Sequence, residues 1–103
     1  MLKKEEVGQI MDSCSDGAWY GTKSKRSFET KLGKKLIFVG HLYEPYYEDF
    51  SATCDVYVEE NGNRKTLFSK TDRSVAPYKK KVEITGSIED VKNVVASENF
   101  FEV

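Results

Sequence analysis

His41 is the only histidine of the 103-residue chain, so any histidine chemistry must occur there. If the two strands around it pair Leu42 with Phe50, His41 lies opposite Ser51 and shares a face with Asp55. Serine, histidine and aspartate can form a hydrolase triad, but a triad is defined by geometry and is supported by an oxyanion hole. The sequence contains no GxSxG elbow and no glycine-rich oxyanion loop. We therefore favour a strand histidine with an ordinary hydrogen bond, and a non-enzymatic protein over a hydrolase using His41.

A tyrosine-rich, acidic connection joins the two strands that flank it. We call it the tyrosine–acid segment; its predicted binding residues are Tyr43, Glu44, Tyr46, Tyr47, Glu48 and Asp49. Tyrosine is enriched at protein–protein hot spots because it combines a large area, a polar tip and few rotatable bonds. Tyr57 of the next strand belongs to the same group of tyrosines. The composition predicts a protein-binding surface; the alternative is that the rings cover the rim of the sheet and pack on the N-terminal helix.

The acids of this region also suggest a hard cation, which prefers several oxygen ligands. Residues 44–60 lack the alternating Asp/Asn spacing and the glycine of a calcium loop. Acids that keep a hairpin soluble explain the pattern better. We predict no metal site and no cofactor.

The net charge of −1 hides blocks of opposite sign along the chain. Residues 22–35 carry six bases against one acid, residues 44–60 carry six acids and no base, and residues 64–81 carry seven bases against one acid. Aromatic residues among the bases suit the stacking of single-stranded nucleic acid. The residues of this alternative ligand-binding set are Trp19, Tyr20, Lys23, Lys25, Arg26, Arg73, Tyr78 and Lys80.

Two features oppose a dedicated nucleic-acid binder. The pI of about 5.9 is far from the basic footprint of such a protein, and the sequence has no motif of an RNA-recognition sheet. A GxxxxGK[ST] phosphate loop is also missing, which argues against a nucleotide hydrolase. Binding of nucleic acid or of a small phosphorylated, nucleotide-type ligand is therefore the alternative function.

Length and composition predict a single domain over residues 1–103. A chain of this size buries about 65% of its unfolded surface, so no disulfide is needed for stability. Cys14 and Cys54 match no metal-binding or redox spacing, which favours two unpaired thiols in a reducing compartment. The N-terminus has no apolar signal region, and no apolar run approaches the ~18 residues of a membrane span. These features predict a cytoplasmic protein that does not contact a membrane.

Periodicity predicts the elements that must position these residues. Apolar positions 7, 10, 11 and 14 indicate a helix over residues 3–14. Strands are expected at 18–23 and 27–32, followed by two long strands that form the central hairpin. Asn61-Gly62 predicts a two-residue type I′ turn, which folds residues 63–69 back on the hairpin.

The C-terminal third of the chain adds the remaining elements. Residues 71–78 read as a loop and residues 78–85 alternate as a strand. Ser87 is the predicted N-cap of a second helix, with Ile88, Val91, Val94 and Val95 as its buried stripe. The last residues read as a short edge strand or a docked tail. The fold class is α+β: an antiparallel meander sheet of five to seven strands flanked by an N-terminal helix and a C-terminal helix.

In size and in its lack of a catalytic signature, the chain is similar to small accessory proteins of bacteria and their phages. Some of these inhibit host-defence systems by binding an effector protein or by sequestering its nucleotide signal. The sequence thus predicts a small binding protein that acts through protein–protein contact. It also suggests a homodimer formed through a sheet edge or the tyrosine patch.

Overall fold

A computed structural model of the chain describes residues 1–16, 25–46, 49–75 and 79–103; for residues 16, 43–46, 49, 50 and 75 it describes the backbone alone. A 3₁₀ turn over Lys4–Glu6 leads into the first helix. The two α-helices are α1 (Val7–Asp16) and α2 (Ile88–Ser97). The six strands are β1 (Lys25–Glu29), β2 (Lys35–Tyr46), β3 (Asp49–Glu60), β4 (Asn63–Val75), β5 (Lys79–Gly86) and β6 (Phe101–Glu102).

The strands form one six-stranded antiparallel sheet in the order β5-β4-β3-β2-β1-β6. Strands β1 to β5 follow one another as a meander, and the two-residue strand β6 pairs with β1 at the far edge. This arrangement confirms the predicted fold class. It leaves β5 as the only long edge strand among the described residues.

Both helices pack on the same face of the sheet. The predicted stripe of α1 is buried and meets the inward-facing residues of the strands, such as Phe38 and Val56. Val91 and Val95 of α2 join the same cluster, and so does Phe100 just before β6. We call this side the helix face and the opposite side of the sheet the helix-free face.

The central hairpin has the predicted faces but not the predicted register. Leu42 pairs with Ala52 and His41 with Thr53, two residues away from the expected partners. A shift of two residues keeps every side chain on the same face, so alternation alone cannot detect it. Beyond Tyr43 the pairing continues across an irregularity to Tyr46 and Asp49, so the strands extend further into the connection than predicted.

The turns follow the local signals. Asn61 and Gly62 both have positive φ, at 53° and 79°, which confirms the type I′ hairpin turn. The Ser87 hydroxyl accepts a hydrogen bond from the Asp90 backbone N–H at 3.1 Å, as expected of an N-cap. Only Ile88 departs from the predicted stripe of α2, since it is 40% exposed.

Cys14 and Cys54 form a disulfide, with their Cα atoms 5.3 Å apart. The prediction of two unpaired thiols is therefore wrong. Helix α1 lies across β2 and β3, so its apolar stripe brings Cys14 onto the inward face of β3. The 40-residue separation gave no hint of this contact, because it arises only from tertiary packing.

Several predicted strand boundaries differ from those in the structure. Strand β1 begins and ends earlier than the predicted strand at 27–32, and β4 continues to Val75 through part of the predicted loop. The predicted strand at 18–23 lies entirely outside the described residues. No described helix is long and apolar enough to cross a membrane.

Candidate functional site

His41 lies exposed on the helix-free face, with Thr53 as its cross-strand partner. Asp55 directs its carboxylate toward another group: it accepts a 2.6 Å hydrogen bond from the Ser69 hydroxyl. Among the described residues, no hydrogen bond joins His41 to Asp55. A triad drawn from the sequence is therefore not assembled here.

The tyrosine–acid segment lies at the end of β2 and the start of β3. Tyr47 and Glu48 fall outside the described residues, and the backbone alone is described for Tyr43, Glu44, Tyr46 and Asp49. In that backbone, Tyr43 pairs with Ser51 and Tyr46 pairs with Asp49. The binding role of the segment stays a prediction.

The alternative ligand-binding set is divided between the two faces of the sheet. Trp19, Tyr20, Lys23 and Tyr78 lie outside the described residues. Lys25 and Arg73 occupy odd positions of their strands on the helix-free face, whereas Arg26 and Lys80 occupy even positions on the helix face. These four cations do not converge on one point.

Arg26 is already bound within the protein. Its Nε and Nη2 donate to the two carboxylate oxygens of Glu102 at 2.7 and 2.8 Å. This side-chain hydrogen bond with Glu102 raises the pKa of Arg26 above its ordinary value. The pair ties β1 to β6, so Arg26 has a structural partner in place of a ligand.

The two basic blocks do not merge into one surface. The first contributes β1 and, with Lys35, the start of β2; the second contributes β4 and β5, and the acidic strand β3 lies between them. Two to three strand spacings, about 10 to 14 Å, separate the two blocks. That distance exceeds the Debye length of about 8 Å at physiological ionic strength, so the blocks act largely independently. A continuous track for a polyanion is not formed by the described residues.

An ordered group of side chains lies on the helix-free face of strands β2, β3 and β4, near the Asn61-Gly62 turn. We call it the Tyr57 cluster; its members are Ile37, Asp55, Tyr57, Glu59 and Arg64. The Arg64 guanidinium carbon lies 4.7 Å from the centroid of the Tyr57 ring. Its Nη2 and Nε also contact Glu59 Oε1 at 2.6 and 2.7 Å. Arg64 is thereby held over the ring in one orientation.

Burial and charge also act on the Tyr57 ring. Desolvation raises the pKa of Tyr57, and the nearby Asp55 carboxylate raises it further. Tyr57 pairs directly with Ile37, which is only 4% exposed although no described helix covers this face. The cluster therefore combines a buried aliphatic side chain (Ile37), an aromatic ring (Tyr57) and an oriented guanidinium (Arg64).

Sequence reasoning noted Tyr57 but missed its partners. The signal for Arg64 was present, because the Asn61-Gly62 turn fixes Glu59 opposite Arg64 and hence Arg64 beside Tyr57. No such signal existed for the burial of Ile37, which lies on the face opposite the core cluster. Within the described ranges, no group of three acids, histidines or cysteines is placed to hold a metal ion.

Comparison of the chain with protein-family models, curated proteins and solved structures gave no match. The functional argument therefore depends on the geometry of the chain itself.

Proposed function

We propose that this chain is a small non-enzymatic binding protein that acts through protein–protein contact. The Tyr57 cluster on the helix-free face is the centre of the contact in this proposal. The biological role that fits such a module is that of an accessory or inhibitor protein of a bacterium or phage, working in the cytoplasm.

The observation that carries the proposal is the fixed stacking of Arg64 on Tyr57 beside Ile37. Tyrosine and arginine are enriched among hot-spot residues, which cluster near the centre of an interface. Preorganised side chains lose less conformational entropy on binding than mobile ones. The helix-free face, on which no described helix packs, offers a broad surface around this centre.

The same geometry favours a protein partner over a polyanion. Arg64 is neutralised by Glu59, and acidic β3 separates the two basic blocks. Phosphate binding needs several cations that act together, and its strength falls steeply with salt. A contact anchored by the Tyr57 ring depends mainly on buried apolar area, which salt does not weaken.

The test compares three variants of the tagged chain in affinity purification from the native host. Tyr57→Ala and Arg64→Ala each remove one half of the stacked pair. We expect either change to lower recovery of a co-purifying protein at least tenfold, and recovery by the wild type to persist at high salt. Thermal melting of each purified variant verifies that the fold is retained.

Arg73→Ala is the matched control. Arg73 is an exposed arginine on the same face and the same strand as Arg64, but outside the Tyr57 cluster. It belongs to the alternative ligand-binding set. If Arg73→Ala abolishes recovery while Tyr57→Ala does not, or if the recovered material is nucleic acid released by salt, the proposal is wrong and the phosphate-binding alternative stands.

A further inference from the structure

We infer that strand β5 is a dimerisation edge, which pairs antiparallel with β5 of a second copy of this chain. The register places Val82 opposite the partner's Val82, on a two-fold axis perpendicular to the sheet. This inference uses a different surface from the Tyr57 cluster and does not depend on the proposed function.

The first observation is the state of the edge itself. All eight residues of β5 are exposed, and one side of the strand has no partner among the described residues. Val82 and Ile84 are 48% and 59% exposed on the helix face. An edge strand of this length with apolar side chains is a template for pairing with another strand.

Charge then selects the register. Lys81 and Glu83 lie largely exposed on the helix-free face, with Lys81 Nζ 3.0 Å from Glu83 Oε1. With Val82 on the axis, each Lys81 faces Glu83 of the partner subunit, so two opposite-charge pairs form. Moving the axis to Glu83 sets two glutamates opposite each other, and moving it to Lys81 sets two lysines opposite each other. Opposite charges stabilise such cross-strand pairs and like charges destabilise them.

Symmetry also requires that the two-fold axis pass through a residue and not between two residues. A perpendicular two-fold axis keeps the helix faces of both copies on the same side of the joined sheet. Residues that face each other across an antiparallel pair share one side of the sheet. Val82 then packs on the partner's Val82, and the apolar edge is covered on both copies.

The helix face supplies a second complementary contact. A groove of about 330 Å³ opens beside the edge between α1, β4, β5 and the start of α2, and its wall includes Ile84, Ile88, Asp12 and Glu89. In the inferred register, the partner's Lys80 lies opposite Ile84. Its aliphatic stem can cover Ile84 while its ammonium approaches the two acids.

The lysines of β5 could instead prevent pairing of the edge, because lysine on an edge strand commonly opposes association with another strand. That interpretation would apply equally to every register. In the inferred register, Lys79 faces Thr85, Lys80 faces Ile84 and Lys81 faces Glu83, so no lysine lies opposite another. Axes at Lys80 or Lys81 set lysine opposite lysine, so the lysines reject those registers and permit the inferred one.

The decisive experiment is a charge exchange followed by sedimentation equilibrium. Lys81→Glu and Glu83→Lys each convert both cross-strand pairs into like-charge pairs, and we expect either to raise the dimer dissociation constant at least tenfold. The double variant Lys81→Glu/Glu83→Lys restores both pairs, so its dissociation constant should return close to that of the wild type. Glu60→Lys, at an exposed position of the β3–β4 turn, makes the same charge change away from the edge and should leave the dimer unchanged.

Cysteine cross-linking tests the register directly. Val82→Cys should give a covalent dimer on mild oxidation, because the two cysteines face each other. Glu83→Cys should not, because its opposite residue is Lys81. A wild type that is monomeric at every concentration, a double variant that fails to restore the dimer, or cross-linking through position 83 in place of 82 would each overturn the inference.

Discussion

At the scale of single residues, Gly86 has less room for a side chain than Gly8, Gly33 or Gly62. Its φ is 78°, and a Cβ atom there would overlap the backbone carbonyl of Leu67. Leu67 is the extra residue of the bulge in β4, where the pairing shifts between Val56 and Tyr57. The bulge thus brings the carbonyl against β5 at the point where the strand ends and α2 begins.

We predict that Gly86→Ala destabilises the protein far more than Gly62→Ala. The two glycines have nearly the same φ, 78° and 79°, but a Cβ at Gly62 meets no atom within 4 Å. Gly62→Ala should therefore cost only the left-handed backbone strain of about 1 kcal/mol, whereas Gly86→Ala adds a backbone clash and should cost about 3 kcal/mol. Urea denaturation of both variants measures the difference. Equal midpoints would contradict the prediction, because β4 and β5 would then accommodate the added Cβ without loss of stability.

At the scale of elements, the Cys14–Cys54 disulfide fixes α1 to β3. It closes a loop with a sequence separation of 40 residues. In the chain-entropy model, a cross-link of that span contributes about 4 kcal/mol by restricting the unfolded chain. We predict that reduction lowers the free energy of unfolding by about this amount.

The measurement is urea denaturation of the wild type with and without reductant. The double variant Cys14→Ser/Cys54→Ser is the control, since reductant should not change its midpoint. An unchanged wild-type midpoint would contradict the prediction. Trapping of free thiols in intact cells shows whether the bond exists there, which also tests the cytoplasmic location, because structural disulfides are rare in reducing compartments.

The elements also show which parts of the fold the sequence could predict. The Asn61-Gly62 turn and the Ser87 cap were correct because their own backbone preferences decide the structure. The faces of the hairpin were correct because alternation reports burial. Its register was wrong because a two-residue shift leaves the alternation unchanged. The Cys14–Cys54 contact was missed because it depends on where α1 crosses the sheet.

The candidate site was likewise only partly predictable from the sequence. Tyr57 could be selected from its residue type, and the turn that follows it places Arg64 beside it. The burial of Ile37, on a face where no described helix packs, could not be foreseen because Ile37 lies opposite the core cluster. Which face the described helices cover depends on where both of them dock.

At the scale of the whole molecule, the inferred dimer joins two six-stranded sheets into one. A perpendicular two-fold axis leaves both helix-free faces on the same side. Each dimer then presents two copies of the Tyr57 cluster toward one surface. Binding to a partner that is itself oligomeric would gain from this bivalency without any new contact.

The distribution of charge over the molecule leads to the last prediction. Opposite charges alternate across the helix-free face, where Arg64 contacts Glu59 and Lys81 contacts Glu83. We therefore expect no binding of a single-stranded oligonucleotide at low ionic strength, where electrostatic binding is strongest. Fluorescence anisotropy measures it.

The matched variant for this prediction is Glu59→Gln/Glu83→Gln, which removes the two acids and leaves Arg64, Arg73 and Lys81 uncompensated. Because cations that are no longer neutralised can contact phosphates, this variant should gain weak binding that disappears as salt is added. Tight oligonucleotide binding by the wild type would show that the acids do not mask the cations. Such a result would move the function from protein contact to phosphate recognition and would make Arg73 and Lys81, two cations of the helix-free face, the first residues to mutate.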